Sequence, residues 1–173
     1  MDQPVDRTHT LSILVDNEAG VLARVIGLFS GRGYNIESLT VAEVDSEVRL
    51  SRITVVTTGT EMVIEQIKNQ LGRLVPVHDV RDLTIEGQSV EHELALIRVE
   101  GPREMRVESL RLANFLHARL VDSTTHAFVF EMTGSTEEID AFVELMRPLG
   151  LAEVSRTGVV AIGRRSDTND AKT

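Results

Sequence analysis

The stretch Asp16-Asn17-Glu18-Ala19-Gly20-Val21-Leu22 brings two kinds of polar group into one turn. One is the side-chain amide of Asn17; the other is the set of backbone N–H groups where an apolar helical pattern begins at Gly20. The first N–H groups of a helix lack internal acceptors and carry the positive end of its dipole, so a small carboxylate can be held there. The chemistry on offer is the sensing of an amino acid. Asn17 and Gly20 also have a plainer reading, since Asn commonly caps helices and Gly eases turns. The residues alone leave both readings open.

Nothing else in the chain nominates a catalytic residue. His9, His78, His92, His117 and His126 form no i, i+4 pair, and with zero cysteines there is neither a metal-ligand cluster nor a thiol nucleophile to propose. No Gly-x-Ser-x-Gly elbow and no phosphate-cradling Gly-x-x-x-x-Gly-Lys is present. Gly27, Gly31 and Gly33 sit at a helix end, whereas a dinucleotide fingerprint belongs between a strand and a helix start. A net charge of −9 opposes general nucleic-acid affinity, and the one basic pair, Arg164-Arg165, lies in a polar tail. Lack of cysteine, of a basic leader and of any apolar run near about 18 residues leads us to expect a cytoplasmic protein with no membrane span.

The elements that must position the turn follow from periodicity. Leu11, Ile13 and Val15 alternate with Thr10, Ser12 and Leu14 over 10–15 and predict a strand. Val21, Leu22, Val25, Ile26, Leu28 and Phe29 share a broad helical face over 21–32, ended by Gly31-Arg32-Gly33. Strands are predicted over 36–44 and 50–57 as a hairpin, a helix through Ile64, Ile67, Leu71 and Leu74, and a strand over 77–85. The polar segment 86–93 reads as a linker.

The pattern then begins again: a strand over 94–99, a helix over 104–119, and a hairpin of 120–124 with 127–133. A helix follows behind the capping box Ser135-Thr136-Glu137-Glu138, and one or two strands cover 151–162 with a break at Thr157-Gly158. The fold class is α+β, two ferredoxin-like βαββαβ units with antiparallel sheets and helices on one face. The expected boundaries are a flexible start at 1–9, a first domain at 10–85, the linker at 86–93, a second domain at 94–163 and a flexible tail at 164–173. RNA-recognition modules share this order but stack bases on aromatic residues, and Leu50 to Thr57 has none. The exposed sheet face and edges lead us to expect a homodimer, through edge or face pairing.

The run from Asp16 to Val41, including Gly31-Arg32-Gly33-Tyr34-Asn35-Ile36, closely resembles the small subunit of acetolactate synthase, also called acetohydroxyacid synthase. Leu50-Ser51-Arg52-Ile53-Thr54 and Thr157-Gly158-Val159-Val160-Ala161 fit the same family, so the resemblance spans residues 9–165. It implies an N-terminal ACT domain, a C-terminal ACT-like domain and no catalytic residue, metal or cofactor in this chain. Thiamine diphosphate, Mg and FAD are expected on a large catalytic subunit, which this chain would activate and place under feedback inhibition by a branched-chain amino acid, commonly valine. The resemblance further implies an effector site of Asn17, Gly20, Val21 and Leu22 from one chain with Asn35 and Ile36 from another. Asn114-Phe115-Leu116-His117-Ala118 departs from the family, where a more basic Phe-Arg-Ala or Phe-Arg-Gly stands. The alternative is a stand-alone ACT-type sensor that controls a different enzyme.

Overall fold

The computed structural model describes residues 5–85 and 89–164. It divides into two compact units, Met1–Val90 with Val159–Thr173, and Glu91–Gly158. In the first, β1 (Arg7–Asp16), α1 (Val21–Ser30), β2 (Ser38–Asp45), β3 (Leu50–Gly59), α2 (Glu61–Leu71) and β4 (Val77–Asp82) follow in order. The four strands form an antiparallel sheet in the order β2-β3-β1-β4, which leaves β2 at an edge.

Alternation in β1 and β3 sends Leu11, Ile13, Val15, Ile53 and Val55 to one face, where Val25, Phe29, Ile64, Ile67 and Leu71 from the two helices complete a single core. The Thr60 hydroxyl accepts from the Val63 N–H and starts α2. At the end of α1, Gly33 takes φ +71°, with Tyr34 N–H donating to the Phe29 carbonyl at 3.0 Å and Gly33 N–H to that of Ser30 at 3.2 Å. Gly33 is thus the left-handed terminator. Gly31 stays right-handed at φ −65° and closes the last turn instead.

Two expectations for this unit are corrected. Leu22 and Ile26 are 36% and 38% exposed, because the buried stripe of α1 is narrower and runs through Val21, Val25, Leu28 and Phe29. Arg7, Thr8 and His9, expected in the flexible start, belong to β1 and pair with Gly59, Thr58 and Thr57. Residues 1–4 of that segment lie outside the described residues.

The sheet face away from the helices is also covered within the chain. Register places Ser38, Thr40, Thr54, Val56, Thr10 and Ser12 on that face, and the last four are buried. The Ser38 hydroxyl accepts from the Val159 N–H at 2.8 Å, and the Thr40 hydroxyl donates to the Val159 carbonyl at 3.0 Å. The segment after Gly158 therefore lies on the first sheet. Face pairing with a second copy, expected from the sequence as one route to a dimer, meets a face that the chain already occupies; the β2 edge is free of a neighbouring strand among the described residues.

In the second unit the order is β5 (Ser89–Glu100), α3 (Arg103–Phe115), β6 (Arg119–Ser123), β7 (Ala127–Gly134), α4 (Thr136–Met146), a single 3-10 turn (Arg147–Leu149) and β8 (Leu151–Arg156). Its antiparallel sheet runs β6-β7-β5-β8, while the last short strand, β9 (Val160–Gly163), falls in the first unit. Ala95, Ile97, Val99, Phe130, Ile139, Phe142 and Met146 make the core. The expected capping box is present, with Ser135 and Glu138 each bonding the other's backbone N–H. The predicted helix 104–119 ends earlier, at Phe115. His117 there takes φ +61°, and Ala118 N–H returns to the Ala113 carbonyl at 2.8 Å.

The predicted linker is in large part strand. Residues 86–88 lie outside the described residues, but Ser89 to Glu93 opens β5. Glu93 is only 4% exposed and is held by Arg156, whose Nε lies 3.0 Å from Oε2 and whose second terminal nitrogen reaches Oε1. The Arg156 Nη1 also meets Asp140 at 2.5 Å. The carboxylates, Glu93 first, hold the guanidinium above its ordinary range. Arg156→Ala should destabilise the second unit by about 2–3 kcal/mol, because it leaves a buried carboxylate without its cation; urea unfolding of wild type and variant checks this.

Candidate functional site

Asn17 follows the last residue of β1, and its backbone N–H donates to the Arg49 carbonyl at 2.7 Å. This bond ties the turn to the start of β3. The Asn17 Nδ2 donates to Glu43 Oε1 at 3.0 Å, and the Arg49 guanidinium donates to the Asn17 carbonyl at 3.3 Å. The side chain of Asn17 does not cap α1: the residue before the helix is Gly20, at φ +86°, and no side chain caps it. The capping reading of Asn17, open on sequence, is thereby removed.

The helix start is free of competing acceptors. The first turn of α1 carries no acidic residue. Among the described residues, the Gly20, Leu22 and Ala23 N–H groups have no hydrogen-bond acceptor, and that of Val21 makes only a long 3.4 Å contact to the Glu18 carbonyl. These unfilled donors stand at the positive end of the helix dipole, a setting suited to an anion. Val21 can contribute backbone alone, because its side chain is buried in the core. The Leu22 side chain is exposed and available.

Asn35 and Ile36 lie elsewhere. The Asn35 carbonyl accepts from the Thr57 hydroxyl at 2.6 Å, at the end of β3 remote from Arg49, and Ile36 is half-buried against the core of its own unit. Eight residues of strand separate Arg49 from Thr57, about 26 Å at ~3.3 Å per residue. Within one chain the structure therefore brings Asn17, Gly20, Val21 and Leu22 together and leaves Asn35 and Ile36 at the opposite end of the sheet. Glu43 and Arg49 join the Asn17 cluster instead. Only the register of the β2–β3 hairpin, which shifts between Glu43 and Asp45, brings those two to Asn17.

A second concavity, of about 770 Å³, opens at the other end of β1 and is lined by Arg7, His9, Thr60, Glu61, Met62 and Thr84, among others. At its wall the buried His9 Nδ1 lies 2.7 Å from Asp82 Oδ2, and the Thr84 N–H donates to Asp82 Oδ1 at 3.0 Å. This pair pins the start of β1 to the end of β4. Among the described residues no cluster of three His, Asp or Glu side chains is disposed to hold a metal ion, and no helix is long and apolar enough to cross a membrane.

Known proteins resemble both halves. Residues 11–79 match the family model of the AHAS small subunit-like ACT domain, and residues 92–165 match that of the small subunit of acetolactate synthase. A probable acetolactate synthase small subunit of Archaeoglobus fulgidus is 47% identical over 156 residues, covering 90% of this chain and 96% of that protein. The acetolactate synthase isozyme 3 small subunit of Escherichia coli is 43% identical, with 89% and 94% covered. The crystal structure of the acetolactate synthase small subunit from Thermotoga maritima superimposes with a TM-score of 0.83 at 35% identity, over 92% of this chain and 99% of that one. With both halves matched and relatives of this identity aligned over nearly the whole chain, the chain belongs to the family of acetolactate synthase small subunits.

Proposed function

We propose that this chain is the non-catalytic regulatory subunit of acetolactate synthase. It binds a branched-chain amino acid, valine foremost, activates a large thiamine-diphosphate-dependent subunit and makes that subunit sensitive to the amino acid. Catalytic cofactors, Mg and FAD among them, reside on the large subunit, and the complex works in the cytoplasm. The observation that carries the effector reading is the start of α1, where unfilled N–H groups begin three residues after Asn17 with no acidic residue in the first turn. The effector carboxylate sits on those donors. The Asn17 Oδ1, which accepts no hydrogen bond among the described residues, and the Glu43 carboxylate receive its ammonium.

The remaining half of the site comes from a second copy. Antiparallel pairing of two β2 edges sets the Asn35–Ile36 end of one chain beside the Asn17–Gly20 end of the other, which a separation of about 26 Å along one strand forbids within a single chain. Sensing and dimerisation are then one event. An apolar pocket separates valine from leucine or isoleucine by only about 1–3 kcal/mol per methylene, so cross-inhibition among the three is expected.

The test is reconstitution. Adding the full chain to the large subunit from the same source should raise acetolactate formation, and valine should then lower it by about 5–150-fold, the range of ordinary allosteric coupling. An unchanged rate, with and without valine, would overturn the proposal.

A further inference from the structure

The helical face of the first unit carries a groove of about 480 Å³ lined by Arg24, Leu28, Arg32, Gln70, Arg73 and Leu74. Arg24, Leu28 and Arg32 stand at i, i+4 and i+8, a spacing that keeps them along one side of α1 and its terminal turn. Gln70, Arg73 and Leu74 come from the end of α2 and the turn after it. Leu28 is buried and Leu74 half-buried, so the groove has an apolar floor beneath exposed guanidinium groups.

None of the three arginines has an ion-pair partner among the described residues. In the second unit five of the seven arginines are paired with carboxylates: Arg98 with Glu100 and Glu153, Arg111 with Glu108, Arg119 with Glu131, Arg147 with Glu144, and Arg156 with Glu93 and Asp140. Glu65, the carboxylate one turn back on α2, is taken by Lys68 at 2.7 Å. A chain with 27 acidic and 18 basic residues has carboxylates to spare, yet among the described residues none is set against these three cations. In addition, the Gln70 Oε1 is buried without a hydrogen-bond donor, a state that costs free energy until a donor arrives.

We propose that this groove is where the regulatory subunit grips its large catalytic subunit, by receiving an acidic amphipathic segment of that protein. The inference rests on the regulatory reading above. Carboxylates of the guest pair with Arg24, Arg32 and Arg73, its apolar side covers Leu28 and Leu74, and an N–H donor meets Gln70. A protein segment brings both acceptors and donors, whereas an inorganic anion brings acceptors alone and leaves the Gln70 oxygen unmet. The overall charge of −9 opposes a nucleic acid as guest.

The test uses the full chain with Arg24→Glu, Arg32→Glu and Arg73→Glu combined, beside a control of equal charge change, Arg111→Glu, Arg119→Glu and Arg147→Glu. The concentration that half-saturates stimulation of the large subunit is measured at low and high salt, and valine binding to each isolated chain is measured by calorimetry. The groove variant should require at least about 10-fold more protein and lose most of its salt dependence, since exposed charge pairs across an interface are screened by salt. The control should shift far less, and valine binding should be unchanged in both. If wild type stimulates and the groove variant titrates as the control does, the docking site is wrong while the regulatory reading stands. If wild type neither binds nor stimulates the large subunit, both fall. If subunit affinity is unchanged but inorganic pyrophosphate binds wild type and not the groove variant, the groove belongs to a small anion and the proposal is overturned.

Discussion

Gly20→Asp is expected to raise the valine concentration for half-inhibition of the reconstituted complex by about 100-fold or more, while the variant still stimulates the large subunit. Two carboxylates about 5 Å apart at an effective dielectric constant near 20 repel by roughly 3 kcal/mol, which is more than a hundredfold in affinity. Space is not the obstacle, because a Cβ at Gly20 meets nothing within 4 Å. The left-handed backbone at φ +86° adds strain of about 1–2 kcal/mol for a side chain, but that strain is present with or without effector and acts on stability instead. Gly20→Asn separates the two effects. It matches Asp in shape, tolerates the left-handed region and carries no charge, so its inhibition curve should move only a few-fold. Equal shifts for the two variants in inhibition assays and calorimetry would mean that no anion sits at the start of α1.

The largest loss of stability is expected from Gly150→Ala. Gly150 has φ +93°, and a Cβ there would stand 1.9 Å from the Glu100 carbonyl oxygen. That approach is what lets the Glu100 N–H donate to the Gly150 carbonyl at 2.8 Å where β8 leaves the 3-10 turn to join β5. A methyl group must push the two strands apart or force the backbone out of its well, and the expected cost is about 4 kcal/mol or more, within the range of the most damaging point substitutions. Urea unfolding followed by hydrogen exchange should show the second-unit amides opening first. Gly27→Ala is the contrasting case. It lies inside α1 with nothing within 4 Å of its added Cβ, so gain of helix propensity should stabilise by about 0.5–1 kcal/mol.

The element order was readable because its punctuation is local. Ser135 with Glu138, Thr60 before α2 and Gly33 after α1 mark boundaries through bonds to residues three to five positions away. What could not be read depends on distant partners. Ser89 to Glu93 looks like a polar linker because Glu93 is a charged residue in a buried position, and the Arg156 that makes this tolerable is 63 residues away. The same holds for Arg7 to His9, whose strand pairing is with Thr57 to Gly59 and whose His9 is satisfied by Asp82. In the candidate site, the turn from Asn17 to Leu22 was visible as a helix start. Glu43 and Arg49 were not, since only a bulged hairpin register brings them to Asn17.

The placement of Val159 on the first sheet has a consequence for how the protein is made. A ribosome releases β1 to β4 well before Val159, so Ser38 and Thr40 on the helix-free face of that sheet wait for their Val159 partner while the whole of Glu91–Gly158 is synthesised. Domains tend to fold as units in order of emergence, but here the second unit is complete before the first can close. A nascent chain that ends short of Val159 carries the whole sequence of the second unit but lacks the residue that bonds Ser38 and Thr40 on the first sheet.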